Sequence, residues 1–309
     1  MSVLERDPWR LQYFAHVPCP DHVAIPTDDP DCWLLFPAHR WIYDKLKVAE
    51  TQGLDAGPHG VMPGSFPVFS KPVTNLKGMG LGSRIIRSAG EMEHHYQPGH
   101  MWMPLLEGEH VSTDCAVEDG RVVWLRHATG VPWDEGMFRY WTIHADAFPA
   151  LAEHLARWVR THMAGYTGMM NFETIGGSII EAHLRFADQW CDVYGEGWVE
   201  ALVRLYAEER WDFADRDCRD GFSVPLFARH GHRYMHPPRE LQAEVRAMPQ
   251  VKSLQITFHE DKPAEDHAMP PGGFRLAVVN ATELEAAMAA RRRLAAAYPP
   301  EMILDQDVN

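Results

Sequence analysis

The sequence predicts an α+β fold of antiparallel sheets with flanking helices, and three observations predict it. Residues 168–185 (Gly-Met-Met-Asn-Phe-Glu-Thr-Ile-Gly-Gly-Ser-Ile-Ile-Glu-Ala-His-Leu-Arg) read as two alternating strands joined at Gly176-Gly177, a β-hairpin signature. Asp119-Gly120, flanked by alternating runs within 113–125, signals a second hairpin. Between them, Phe148, Leu151, Leu155, Trp158, Val159 and His162 mark one face of an amphipathic helix over 148–164. Hairpins build antiparallel sheet, and such a helix buries its stripe against one.

The remaining elements follow in order. Residues 1–36 are rich in Pro, Asp, Trp and His with little periodicity, so they are expected to be mostly irregular and to lie against a larger body. From 37 to 53 the positions Trp41, Ile42, Leu46 and Val48 fit a helix that carries Lys45 and stops at Gly53. Residues 66–71 (Phe-Pro-Val-Phe-Ser-Lys) read as a strand ending on Lys71. The glycines at 78, 80 and 82 then let the backbone approach a ligand, and successive N–H groups in such a loop form a concavity for anions. Loops of this kind often serve only to turn the chain, and this one is neither a Rossmann fingerprint nor a Walker loop. A lysine on the preceding strand makes a triphosphate plausible, since its point charge suits phosphate oxygens. Beyond 190, helices are expected at 198–211 and 283–298, around a Pro/His-rich loop region near 230–240.

With 309 residues there is room for about two domains or one large one. A net charge of −14 argues against a nucleic-acid backbone or an anionic membrane surface as main partner. No apolar run is long enough to span a bilayer, and the N-terminus lacks a signal-peptide layout, so a cytoplasmic location is expected. The five cysteines are scattered without a Cys-x-x-Cys pair, which fits reduced thiols. The 18 histidines, including His94-His95 and His230-x-His232-x-x-x-His236, match no zinc module and are read as surface or packing residues.

Alternation across the central hairpin sends Ile180, Ala182 and Leu184 to one face and Glu181, His183 and Arg185 to the other. A three-residue loop over 176–178 would set Glu173 opposite Glu181 and Asn171 opposite His183. Opposed carboxylates repel, and a divalent metal ion between them is the obvious remedy; the plainer reading is an exposed hairpin whose polar face meets water.

The order of parts resembles the ATP-grasp superfamily of ligases: Lys45, then Lys71, the glycine loop, the apolar stretch with Glu107-Gly108, the Asp-Gly hairpin, the helix, and Glu181-x-His183-x-Arg185. The resemblance covers roughly residues 40–190, and Gly272-Gly273-Phe274-Arg275 with the helix after it is similar to the closing strand and helix of some carboxylate–amine ligases. It implies two α+β subdomains clasping ATP, a small one over 41–110 and a large one over 111–309, after a short N-terminal segment over 1–40. By that similarity Lys45 and Lys71 contact the phosphates, the loop with Gly78, Gly80, Gly82 and Ser83 folds over them, and Met103 to Leu106 form the hinge beside adenine. The Pro104 carbonyl and the Leu106 N–H would bond the base, and His110 would take the ribose hydroxyls where the family usually has glutamate.

Glu173 and Glu181 match the family's metal carboxylates, and Arg185 the arginine that steadies an acyl phosphate. His183 stands where most of the family has asparagine, which points to manganese in place of magnesium, to a water-mediated contact or to a degenerate site, with Asn171 as another oxygen donor. Arg126-His127, at the end of the Asp-Gly hairpin, are candidates to face the nucleotide or substrate, and Phe138, Tyr140 and Trp141 to line the acceptor pocket. The implied activity is an ATP-dependent ligase acting on small-molecule or peptide carboxylates and amines. The alternatives are a degenerate nucleotide-binding or regulatory protein and a phosphotransferase using the same ATP site. Residues 1–40 cannot hold the family's usual N-terminal domain. That leaves the acceptor site to another region of the chain, to a homo-oligomer or partner subunit, or to a large second substrate.

Overall fold

The computed structural model describes residues 3–78, 80–146, 148–216 and 218–304. Its strands are β1 (Val3–Leu4), β2 (Ile25–Pro26), β3 (Gly57–Pro58), β4 (Val68–Pro72), β5 (Arg84–Ile86), β6 (His100–Pro104), β7 (His110–Glu118), β8 (Arg121–Pro132), β9 (Phe138–Ile143), β10 (Gly168–Ile175), β11 (Ser178–His183), β12 (Gly221–Ala228), β13 (Val251–Ile256) and β14 (Phe274–Ala281). The helices are α1 (Pro8–Leu11), α2 (Asp29–Leu35), α3 (Lys45–Thr51), α4 (Ala89–His94), α5 (Pro149–His162), α6 (Trp198–Glu208), α7 (Arg239–Arg246) and α8 (Leu284–Ala295). An eight-stranded antiparallel sheet runs β11-β10-β7-β8-β9-β12-β14-β13, and a four-stranded one runs β3-β6-β4-β5. The expected α+β class of antiparallel sheets with flanking helices is the class observed.

Period-two alternation decides the faces of the large sheet. Val111, Cys115, Met170, Phe172, Ala182 and Leu184 pack on Leu155, Trp158 and Val159 of α5 and on Ile42 and Val48. On the opposite face Ala116, Ala128, Trp141 and Met169 meet Trp198 and Leu202 of α6, with Val3, Phe14 and Ile25 from the N-terminal segment. Helices α7 and α8 cover β12, β13 and β14.

The central hairpin turns through two residues, Gly176 (φ +56) and Gly177 (φ +85), where three were expected. A bulge makes up the difference. Ile175 faces Ser178 and Thr174 faces Ile179, but the extra residue at Ile180 restores Glu173 opposite Glu181 and Asn171 opposite His183. The Asp119-Gly120 turn has two residues, with Glu118 opposite Arg121.

The single helix expected over 37–53 is broken. Arg40–Tyr43 is a 3₁₀ turn, and Asp44 leaves helical backbone and caps α3, its carboxylate accepting from the Lys47 N–H at 3.0 Å. Lys45 therefore stands at the first position of α3. The N-terminal segment is more ordered than its composition implies, because Pro30 and the Asp28 cap, which accepts from the Asp31 N–H at 2.8 Å, start α2. In the tail, β12, β13 and α7 lie where no element was expected. β12 tolerates Pro225 because β9 pairs it only at Gly221–Ser223, so the missing N–H removes no bond to β9. No helix among the described residues is long and apolar enough to cross a membrane.

Candidate active site

Register lays two rows of side chains across four strands on one face of the large sheet. His183, Asn171, Asp114 and Arg126 are successive neighbours on β11, β10, β7 and β8; Glu181, Glu173, Ser112 and Ala128 form the row beside them. At its β11 edge, Lys45 of α3 and Lys71 of β4 reach Glu181 and the Ile180 carbonyl, and Asp29 of α2 reaches His183.

The opposed carboxylates do not depend on a metal ion to coexist, which corrects the repulsion argument. Glu181 Oε1 is 2.9 Å from Lys45 Nζ, and Glu173 Oε2 is 2.5 Å from His110 Nε2. Burial alone would raise the Glu181 pKa, but His183, Lys45 and Lys71 together hold it below the usual carboxylate range. Burial works against protonated His110, yet the hydrogen bond and charge of Glu173 outweigh it and raise its pKa. The His110 ring also meets Phe138 at 5.2 Å and Trp141 at 5.7 Å, edge-on. Tyr140, between them in sequence, packs instead on the tail cluster.

Lys71 is buried and donates to the Ile180 carbonyl at 2.7 Å. Burial pushes its pKa down to about 8, with Glu181 pulling partly the other way. Met103 lies beside it in an apolar group with Phe69, Leu46, Leu106 and Ile180, at the seam of small sheet, α3 and β11. Pro104 pairs with Val68, beside a depression lined by Asp55, Ser65, Trp102 and Glu107. The glycine loop joins β4 to β5 with φ of +68 at Gly78, +62 at Gly80 and +78 at Gly82. Asn75 ties it down, donating to the Gly78 carbonyl at 2.8 Å and accepting from the Lys77 N–H at 3.0 Å, and the Ser83 N–H donates to Gly80 at 3.1 Å.

At the other end, His183 and Arg185 close on a residue that the sequence did not single out. Asp29 is buried, with both oxygens 3.0 Å from His183 Nδ1. Arg185 reaches it through Nε at 3.0 Å and Nη2 at 3.2 Å, and the Tyr43 hydroxyl donates to it at 3.2 Å. Burial would raise the Asp29 pKa, but Arg185 and His183 drive it far below the usual range. The sequence signal was only the Asp28-Asp29-Pro30-Asp31 helix start, which says nothing about a partner 154 positions away.

Three other expected contributors are engaged within the protein. The Asn171 amide donates to Ser112 at 2.9 Å and to Asp114 at 2.8 Å. Arg126 Nη2 holds Asp215 at 2.6 and 2.8 Å, and His127 Nδ1 meets the Thr113 hydroxyl at 2.8 Å; β8 continues to Pro132, so this pair does not end the hairpin. Asp114, fully buried, accepts from Asn171, the Ala187 N–H and the Tyr194 hydroxyl, and burial raises its pKa to about 6 against those bonds.

Among the described residues no three His, Cys, Asp or Glu side chains converge to hold a metal ion. The donor set present, two carboxylates in register with an imidazole nitrogen 3.8 Å from one of them, still fits a divalent cation that takes water or phosphate oxygens as its other ligands.

Two antiparallel sheets that meet along this seam make an α+β clasp. The chain has the ATP-grasp fold. No protein-family model matches it, and no curated protein matches it in sequence. The likeness lies in solved structures. The L-amino acid ligase of Bacillus licheniformis is similar at 12% identity and a TM-score of 0.62, over 96% of this chain and 83% of that one. Phosphoribosylamine–glycine ligase of Thermotoga maritima is similar at 13% and 0.59, over 90% and 83%. The biotin carboxylase domain of the 2-oxoglutarate carboxylase of Hydrogenobacter thermophilus, solved with MgADP, ADP and bicarbonate, is similar at 15% and 0.53, over 88% and 68%.

Proposed function

We propose that the chain is an ATP-dependent ligase that activates a carboxylate as an acyl phosphate and joins it to an amine or similar nucleophile, releasing ADP and phosphate. One observation carries this reading. Lys45, Lys71, Glu173, Glu181, His183 and Arg185, drawn from three separate stretches of chain, gather along one seam of an ATP-grasp fold. The named ligases among the structures it resembles support the same reading.

In this reading Lys45 and Lys71 hold the phosphates, and the glycine loop with Gly78, Gly80, Gly82 and Ser83 covers them. The Pro104 carbonyl and Leu106 N–H address adenine beside Met103, and His110 lies within reach of the ribose while also holding Glu173. Glu173 and Glu181 with His183 would hold Mg²⁺ or Mn²⁺, which would supply positive charge to the transferred phosphoryl group. Arg185 steadies the acyl phosphate. With nucleotide and cation bound, Lys45 and Glu181, now paired at 2.9 Å, would each take a new partner of opposite charge.

Calorimetry of ATP with Mg²⁺ or Mn²⁺ tests the reading on wild type, Glu181→Ala and Lys71→Ala. Metal-dependent binding lost in both variants, followed by ADP release only when an acid and an amine are both supplied, is the expected result. A stable phosphorylated acceptor would mean a phosphotransferase, and no binding with any metal a degenerate relative of the fold.

A further inference from the structure

Arg275 is a half-buried cation that the proposed reaction leaves unused, and it has no carboxylate of its own. Strand β14 turns Phe274, Leu276 and Val279 into the layer under α7 and α8, and Arg275 and Asn280 to the opposite face. Gln189 meets both there. Its side-chain amide donates to Ser223 at 2.9 Å, so its Oε1 is left to accept from Arg275 Nη1 at 3.3 Å. Ser223 is the register neighbour of Trp141, whose ring meets His110, the partner of Glu173. Arg275 therefore stands on the face that carries the paired carboxylates.

Three arginines share this end of the face, and they are not answered alike. Arg185 is bonded to Asp29, and Arg10 of α1 is met by Asp7, Asp188 and Glu5. Arg275 bonds only the neutral Gln189; its Nε has no hydrogen-bond partner, and it pairs with no carboxylate among the described residues. Burial, against the pull of Asp188, holds its pKa below the usual arginine value. A guanidinium keeps its proton in proteins, so this is the mark of a charge short of anions. Such a charge costs stability until something answers it. Gln189 engages Nη1, and the edge formed by Nε and Nη2 is the one that takes a carboxylate through two parallel bonds.

We propose that the Nε–Nη2 edge of Arg275 binds a carboxylate that does not react, so that either the acid or the amine substrate carries a carboxylate besides its reacting group. One such edge, close to Asp7, Asp188 and Glu5, suits a monoanion with two coplanar oxygens better than a phosphate dianion. Arg185 and Gln189 are four positions apart, so their Cα atoms lie within roughly 14 Å, a span that a small substrate with two polar ends can bridge. The anion site stands on this geometry, and naming its ligand a substrate rests on the ligase reading above.

The test titrates nucleotide-free wild type, Arg275→Gln and Arg275→Lys with succinate, β-alanine and inorganic phosphate, reading the melting temperature and the Arg275 Nε–H magnetic resonance. Succinate or β-alanine is expected to raise the wild-type melting temperature and to move that resonance to saturation. Tighter binding of β-alanine assigns the carboxylate to the amine substrate, and tighter binding of succinate assigns it to the acid. Arg275→Gln should lose the response yet melt no lower than wild type in buffer alone, because it removes a charge without a partner. Arg275→Lys, a point charge without the fork, should respond at least about tenfold more weakly. A wild-type resonance that no carboxylate moves overturns the proposal, as does one that phosphate alone moves. An Arg275→Gln protein that melts lower and keeps the full response does the same and leaves Arg275 a structural residue. Should that variant fail to fold, the wild-type resonance and Arg275→Lys still decide. An intact carboxylate response in a protein that releases ADP with no pair of acid and amine removes the ligase reading and the substrate role, and leaves an anion site.

Discussion

Glu173 and Glu181 face each other across the hairpin of β10 and β11, and each is met by its own nitrogen, His110 Nε2 at 2.5 Å and Lys45 Nζ at 2.9 Å. The protein thus partners its own paired carboxylates with groups from two other elements. Those same groups are the ones a nucleotide and its cation would have to re-partner.

The Lys45–Glu181 pair is the first place to measure this. Lys45 is 6% exposed and Glu181 25%, so removing one partner costs less than the roughly 3–5 kcal/mol of a fully buried pair. Lys45→Met is expected to destabilise by about 1–3 kcal/mol in urea denaturation. The double variant with Glu181→Gln should recover most of that loss, and strictly additive costs would show that the two charges are not coupled.

Lys71 gives the proposed nucleotide site a pH limit. Its pKa is pushed down to about 8 by burial, and phosphate wants the charged form. ATP affinity should hold below pH 7 and fall above about 8, by at most about tenfold per pH unit. Lys71→Met should bind roughly 10- to 100-fold more weakly below that limit, the worth of a charge-assisted hydrogen bond, and lose the decline. A wild-type affinity that is flat from pH 7 to 9.5 would exclude Lys71 from the phosphates.

The two glycines of the hairpin turn should differ. A Cβ on Gly176 would lie 2.3 Å from the Glu107 carbonyl oxygen, whereas nothing lies within 4 Å of one on Gly177, and both have positive φ. Gly177→Ala should cost about 1 kcal/mol for the left-handed backbone alone. Gly176→Ala should cost clearly more, because backbone must move, and should weaken nucleotide binding by disturbing the Glu173–Glu181 register. Equal losses of stability would contradict the close approach.

Asp114 sets the expected acid behaviour. Its pKa is raised to about 6 in the fold from 3.8, so between those values the folded protein holds a proton that the unfolded chain has released. Its contribution to stability is therefore largest below pH 4 and is lost as pH rises through 6. Compared with Asp114→Asn, wild type should lose roughly 2–3 kcal/mol across that window, because a tenfold change in proton affinity is worth about 1.4 kcal/mol. Stability of the two proteins that runs parallel from pH 4 to 6.5 would exclude the raised value.

The carboxylate pair was legible because period-two alternation and the Gly176-Gly177 turn almost determine a register. The expected three-residue loop and the observed two-residue turn with a bulge at Ile180 give the same pairing beyond the bulge. For Lys45 the apolar spacing suggested one long helix, while the Asp44 cap starts the short one that carries it. Asp29 was out of reach, since its role depends on a contact with His183 that local pattern cannot encode. The tail failed differently. Pro225 marks β12 as a poor strand and Pro237-Pro238 marks a loop, yet one proline lies beyond the reach of β9 and the other caps α7.

The short overlap of β12 with β9, three residues against the long ladders on either side, makes the large sheet a book with a narrow spine. The spine is tied at Gln189, whose side-chain amide donates to Ser223 at 2.9 Å and whose backbone carbonyl accepts from the side chains of Gln255 at 2.6 Å and Asn280 at 2.8 Å. Amide exchange should therefore find two leaves, with β12, β13 and β14 opening together while β7, β10 and β11 stay protected. Gln189→Ala, which removes the bond to Ser223 and leaves the backbone carbonyl in place, should widen the gap between them. A single protection level across all eight strands would mean that the spine is as strong as the pages.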